Sequence, residues 1–187
     1  ENKIVFLGRF DIQKGVKSIL KIIPELSKYL EQKEIKYKID FIGEGELLKD
    51  IQKVQKSINK NFLEIRIYSS DNIIKDIKKA KIFLSVQDYS NYPSRSLTEA
   101  MCLGLMPIVS DTGESRLMLP FNYPYLLDHK NLEDELLRSL QSIIIMKENE
   151  QIALSNYIFN FSKKRFSRKK HITYFENIYE KLHYRTL

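Results

Sequence analysis

Apolar residues along this chain follow two rhythms. Short, nearly uninterrupted runs occur at KIVFLG (3–8), IKYKIDFIG (35–43), KIFLSV (81–86) and MPIVSD (106–111). Strands buried on both faces have this pattern, and parallel sheets bury their strands that way. LEIRIYS (63–69) alternates, as a half-buried strand does. Between these runs the spacing turns helical. Val16, Ile19, Leu20 and Ile23 share a face of 14–32, and Leu47, Ile51, Val54 and Ile58 share a face of 44–59. Shorter helices are predicted over 72–80 and 95–103, a last short strand at YLL (125–127), and helices near 131–146, 148–160 and 168–183. Pro24 predicts a kink or a division in the first helix.

Strands that alternate with helices require right-handed crossovers and a parallel sheet covered on both faces. The expected fold is therefore α/β, a doubly wound, Rossmann-like parallel sheet with extra C-terminal helices. In such sheets ligands bind at the carboxyl ends of the strands, near the point where strand order reverses. The chain has 187 residues, which suits one large domain. The expected organisation is a sheet domain over 1–160 and a basic C-terminal helix over 161–187.

Composition narrows the class. The chain is 43% hydrophobic and 29% charged, so a sizeable core is expected. No apolar run approaches the roughly 20 residues of a membrane helix. The chain begins at Glu1 and enters the first strand at once, with no secretory signal, which suggests a domain cut from a longer protein. A single cysteine, Cys102, excludes an internal disulfide and suits a reducing, cytoplasmic compartment. His129, His171 and His183 are scattered and, with Cys102, show no metal-ligand spacing, so no metal is expected. The net charge is +7, and residues 161–187 hold eight Lys/Arg against two Glu. A basic tail suits nucleic acid, an anionic membrane surface or a solvated helix face. The basic run at 163–170 has no paired aromatic platform, so nucleic acid is not an expected partner.

Three motifs sit at predicted strand ends. In GRFDIQKG (8–15), Gly8 ends a strand, Arg9 follows, and Lys14-Gly15 opens a helix. Two cations beside a helix N-terminus oppose its dipole unless an anion joins them; the alternative is a turn with exposed charges. In GEGE (43–46), Gly43 and Gly45 give either a tight turn or a close approach of backbone to ligand. In NYPSRSLTE (91–99), Ser94 or Ser96 caps a helix. Ser96 and Glu99 have the spacing of a capping box, so Glu99 either closes back on the cap or accepts hydrogen bonds from a ribose diol.

Taken together, the three loops resemble the C-terminal, donor-binding domain of the group 1, glycogen-synthase-like (family-4, retaining) glycosyltransferases of the GT-B fold. The matching residues are Gly8-Arg9, Lys14-Gly15, Gly43-Glu44-Gly45 and EAMCLGLMPIVSDTG at 99–113, and the likeness runs from Lys3 to about residue 115. The resemblance implies catalytic roles for Arg9 and Lys14 on the donor's phosphates, and for Asn91 where the family has the first acid of an E-x7-E pair. It implies donor binding by Gly8, Gly43, Gly45, Ser94, Arg95, Ser96, Leu97 and Glu99, with Glu99 on the ribose. The chain departs from the family at Asn91, at Tyr92-Pro93-Ser94 in place of Gly-Phe-Gly, and at TGESR in place of G-G-x-x-E. The N-Y-P-S loop resembles that of members with surface-polysaccharide roles.

The implied function is transfer of a hexose, with retained configuration, from a nucleotide diphosphate sugar (UDP-sugar first) to an acceptor hydroxyl in bacterial surface polysaccharide synthesis, namely capsule, O-antigen or lipooligosaccharide. No cofactor and no metal are implied. The implied partners are an N-terminal acceptor-binding domain, without which this chain binds donor but does not turn over, and the anionic inner face of a membrane carrying a lipid-linked acceptor. The last helix resembles the segment that crosses back to that domain, and Tyr174, Phe175 and Tyr179 are expected to pack on a domain rather than enter lipid. Two other readings stay open: a non-catalytic nucleotide-binding or assembly module, and a nucleotide-sugar epimerase of the same fold.

Overall fold

The computed structural model describes residues 1–183, with the backbone only at 170, 171 and 179–183. Strands and helices alternate from the start: β1 (Lys3–Leu7), α1 (Val16–Gln32), β2 (Tyr37–Ile42), α2 (Leu48–Ser57), β3 (Leu63–Tyr68), α3 (Ile73–Ile77), β4 (Ile82–Ser85), α4 (Arg95–Cys102) and β5 (Met106–Ser110). A two-residue β6 (Leu126–Leu127) follows, then α5 (Leu132–Ile145), α6 (Glu148–Arg165) and α7 (Arg168–His183). The six strands form one sheet in the order β3-β2-β1-β4-β5-β6, and every pairing is parallel. The doubly wound sheet expected from the sequence is the one found.

Continuous burial of the central strands explains their apolar runs. Ile4, Val5, Ile82 and Ile108 are fully enclosed, with helices on both sheet faces. Helix α1 packs against α2 and α5, and α4 packs against α6. Right-handed crossovers place the first pair of connections opposite the next two. Helix α1 runs through Pro24 as one element, so the division the sequence allowed does not occur. A proline inside a helix costs about 3 kcal/mol. Ile19, Ile23, Leu26 and Leu30 are all fully buried on this helix, and each contributes about 1.5–3 kcal/mol. Packing outweighs the local penalty, while Pro24 itself faces solvent.

One polar cluster lies inside the β3-β2-β1 half. The parallel register sets Asp40 opposite Arg66. The fully buried Asp40 carboxylate accepts from Arg66 Nε at 2.7 Å, Arg66 Nη2 at 2.6 Å and the Tyr68 hydroxyl at 2.9 Å. Lys3 Nζ stands 3.6 Å from it and donates to the Asp76 carbonyl of α3 at 2.6 Å. Burial, together with the hydrogen bond to Asp40, pushes the Tyr68 phenol well above its ordinary range.

Helix α6 passes through residue 160, the expected end of the sheet domain, and stays attached to it. Ser162 is buried and donates to the Met101 carbonyl at 3.0 Å. The chain breaks its helix at Phe166 and Ser167 before α7. On α7, Tyr174 and Phe175 meet edge-on at 5.6 Å and remain 61% and 41% exposed. Tyr179 and residues 184–187 lie outside the described side chains. Among the described residues, no helix is long and apolar enough to cross a membrane.

Candidate functional site

Strand order reverses between β1 and β4. Connections leave these neighbours in opposite directions, which opens a crevice at their carboxyl ends. A cleft of about 450 Å³ fills that crevice. Leu7, Gly8 and Lys14 come to it from the first strand and its loop, and Ser85 and Gln87 from the end of β4. Ile73 enters from α3, and Asn91, Pro93, Arg95, Ser96 and Glu99 from the loop and helix that follow. Six residues named from the sequence thus meet across more than ninety positions: Gly8, Lys14, Asn91, Arg95, Ser96 and Glu99.

The first loop separates its two cations. Phe10 is fully buried and joins Phe6 and Phe41, with ring centroids 6.2 and 6.3 Å away. With Phe10 turned inward, its neighbour Arg9 turns outward, 74% exposed and 3.3 Å from Asp11. The structure therefore does not bring Arg9 into the cleft with Lys14. Arg9 lines an adjoining depression of about 300 Å³, which shares Leu7, Gly8 and Ile73 with the main cleft. Lys14 is half-buried, and its ammonium donates to Gln87 Oε1 at 3.4 Å. Burial holds its pKa below the ordinary 10.5; nearby Asp11 opposes that shift and Arg9 adds to it. Gly15 then starts α1 in the left-handed region (φ +70°), where a Cβ would collide with the Val86 carbonyl. That contact locks the Lys14 loop against the end of β4.

The second loop acts through the first. Phe10 donates from its backbone to the Glu44 carbonyl at 2.7 Å and accepts from the Leu47 amide at 2.9 Å. A Cβ at Gly45 would meet the Phe10 backbone at 2.6 Å, and one at Gly43 would collide with the Gly8 carbonyl. Both glycines permit two loops to touch. Gly43 lines the depression around Arg9, and Gly45 lines neither hollow.

On α4 the cap is Ser94, whose buried hydroxyl accepts from the Leu97 amide at 3.4 Å. The capping box expected for Ser96 and Glu99 is not formed. The helix starts one residue after Ser94, so Ser96 already lies inside it and Glu99 falls in the second turn. Glu99 instead accepts from Arg95 Nε at 2.9 Å. The amides of Arg95 and Ser96 belong to the first turn, which has no preceding carbonyl to bond. Leu97 is buried and serves the helix by packing and by its bond to Ser94. Asn91 is exposed at the rim.

Gln87 and Ile73 lie outside the sequence motifs, and Asp11 lies inside the first, with no role expected of it. Gln87 receives Lys14, donates to Ser85 Oγ at 3.2 Å, and accepts from Ser110 Oγ through its carbonyl at 2.7 Å. Asp11 accepts from the Lys14 amide at 2.8 Å while pairing with Arg9. Ile73 supplies an apolar wall. The available signal for Gln87 was its position in SVQ, at the carboxyl end of an apolar strand. Chemically, the cleft offers a half-buried ammonium, a guanidinium, two first-turn amides at a helix start and one carboxylate, a set suited to an anion joined to a polyol.

The family model of the glycosyl transferases group 1 matches residues 1–158. The chain belongs to that family. An uncharacterized glycosyltransferase of Methanocaldococcus jannaschii is 29% identical over 96% of this chain and 45% of its own length. The chain thus spans less than half of that relative. Among solved structures, Anabaena HepE in complex with UDP matches with a TM-score of 0.71 at 14% identity, over 97% of this chain and 48% of that one. The pneumococcal O-GlcNAc transferase GtfA, in complex with UDP and GlcNAc, matches with a TM-score of 0.69 at 16% identity, over 97% and 36%. These two likenesses concern the fold.

Proposed function

We propose that this chain is the donor-binding half of a retaining glycosyltransferase and that the switch-point cleft holds a nucleotide diphosphate sugar. The observation that carries this reading is the meeting of Lys14, Arg95, Ser96 and Glu99 around one 450 Å³ hollow. Family membership supports sugar transfer, and the two fold neighbours named above were solved with UDP.

In this reading the diphosphate lies against Lys14 and the amides of Arg95 and Ser96, with Arg9 at the flank. Glu99 accepts from the ribose, and Asn91 meets the sugar from the rim. The bond between the anomeric carbon and the diphosphate oxygen breaks, and a bond to the acceptor oxygen forms on the same face. The acceptor's proton leaves with the nucleoside diphosphate. Negative charge grows on the departing phosphate, where fixed donors are worth about 3–4 kcal/mol each. The acceptor and the remaining groups come from an N-terminal half, so this chain alone binds donor without useful transfer.

The proposed setting is bacterial surface polysaccharide synthesis at the inner face of the membrane. Exposed Lys163, Lys164, Arg165, Arg168 and Lys169 support contact with anionic lipid that carries the acceptor. A second reading, nucleotide binding without transfer, draws support from Asn91, an amide where the family pattern has an acid.

A calorimetric panel of UDP, GDP, ADP and their sugars tests the proposal. A ligand at about 100 times its dissociation constant stabilises the fold by about 2.7 kcal/mol. Lys14→Ala and Glu99→Ala should each reduce that response, and an unchanged response in both would remove the site from this cleft. Joining the native N-terminal half and assaying transfer separates the two readings.

A further inference from the structure

We propose that Arg95 is a built-in competitor for the Glu99 carboxylate, and that a nucleoside diphosphate displaces it by offering phosphate oxygens in exchange. This rests on the donor-site reading above. Arg95 is the first residue of α4, its side chain is 92% exposed, and it lies one turn before Glu99, which is 25% exposed. Both line the same cleft, and Arg95 Nε donates to Glu99 Oε1 at 2.9 Å.

A cation in the first helical turn opposes the helix dipole. Glu99 is what holds Arg95 there among the described residues. That hold is weak, because an exposed pair of this spacing is screened by water and restrains two long side chains. It also engages one of the guanidinium's five N–H groups, which leaves a planar fork free for phosphate. An anion at the amides of Arg95 and Ser96 sits on the favourable side of the dipole and within the guanidinium's reach. Phosphate therefore wins Arg95, and Glu99 is released to accept from the ribose diol. A nucleoside without phosphates brings nothing to draw Arg95 away and must compete with it. The site thereby couples ribose occupancy to diphosphate occupancy through one side chain, and it selects against nucleosides without any clash.

The test uses this chain, Arg95→Leu and Arg95→Lys, titrated with UDP by calorimetry and with uridine and 2′,3′-dideoxyuridine by ligand-observed NMR. Arg95→Leu should tighten uridine about two- to fivefold, the worth of an exposed ion pair, with no gain for dideoxyuridine. It should weaken UDP about tenfold or more, the worth of a charged hydrogen bond. Arg95→Lys should keep more of the UDP affinity than Arg95→Leu. Uridine binding that stays the same or weakens in Arg95→Leu, or that gains equally for dideoxyuridine, overturns the competition. Failure of the unaltered chain to bind UDP, GDP or ADP overturns the donor-site reading, and this inference with it.

Discussion

The two halves of this sheet treat charge in opposite ways. Between β2 and β3, Asp40 meets Arg66 through both oxygens, takes Tyr68 as well, and has Lys3 beside it. Around the cleft, Lys14 reaches Gln87 by one long contact of 3.4 Å, and Arg95 reaches Glu99 through one N–H. The Asp40 carboxylate accepts three hydrogen bonds at 2.6–2.9 Å, whereas the cleft's groups hold one another by single contacts. A buried charge set that satisfies itself holds structure. A partly exposed set that does not leaves donors and acceptors open to a ligand, which is the role proposed for it. Residue type alone does not separate the two, since both use lysine, arginine and a carboxylate.

The largest expected effect breaks the first cluster. Asp40→Ala leaves Lys3 and Arg66 without their common acceptor and should lower stability by about 3 kcal/mol, read from urea unfolding. UDP binding by the folded fraction should change little, and a large loss there would erase the distinction between the halves. Next comes Gly15→Ala, which forces a Cβ into the left-handed region against the Val86 carbonyl. The backbone strain alone should cost about 1–3 kcal/mol in stability, displacement of the Val86 carbonyl adds to it, and UDP should weaken as well, because Lys14 rides on that turn.

Lys14→Ala should leave stability nearly intact and weaken UDP by about 1.5–3 kcal/mol, measured by calorimetry. Its pH dependence sharpens the comparison. Lys14 has a folded pKa below its unfolded value of 10.5. Between the two the unfolded chain binds more protons, so this residue makes the empty fold more stable as pH rises. Bound diphosphate favours the charged form and reverses the shift. UDP affinity should therefore fall as pH rises through the folded pKa of Lys14, and Lys14→Arg should flatten that fall.

The smallest effect lies away from both clusters. Glu133 accepts from Lys21 at 2.8 Å and from Ser18 at 3.0 Å, tying α5 to α1. The Lys21 hydrogen bond holds the Glu133 pKa below 4.5 despite partial burial. This contribution is present at neutral pH and is lost as pH falls through the folded value. Glu133→Gln should shift the urea midpoint slightly at neutral pH and not at all in acid.

Much of the fold was legible because its signals are local. Apolar runs marked the strands, helical spacing marked their connections, and the alternation of the two dictated a parallel sheet with ligand-binding carboxyl ends. Pro24 misled because its local penalty is outweighed by Ile19, Ile23, Leu26 and Leu30, whose shared spacing is visible in sequence but whose complete burial depends on α2, α5 and the sheet, which are not. The cap at α4 misled because Ser94 and Ser96 offer the same chemistry, and only the helix register tells which is first. Gln87 stayed hidden because its partners, Lys14 and Ser110, are distant along the chain.

By itself the sequence determined the parallel sheet and placed the polar, glycine-rich loops at the carboxyl ends of its strands, since period, glycine and charge act within a few residues. The tertiary structure decided which side chains face the cleft. Phe10 claims the core and so sends Arg9 outward, Gly15 docks on Val86 and so brings Lys14 inward, and Arg95 finds Glu99 one turn away. Direction depends on what each neighbour must bury, and that is settled only when the strands have assembled.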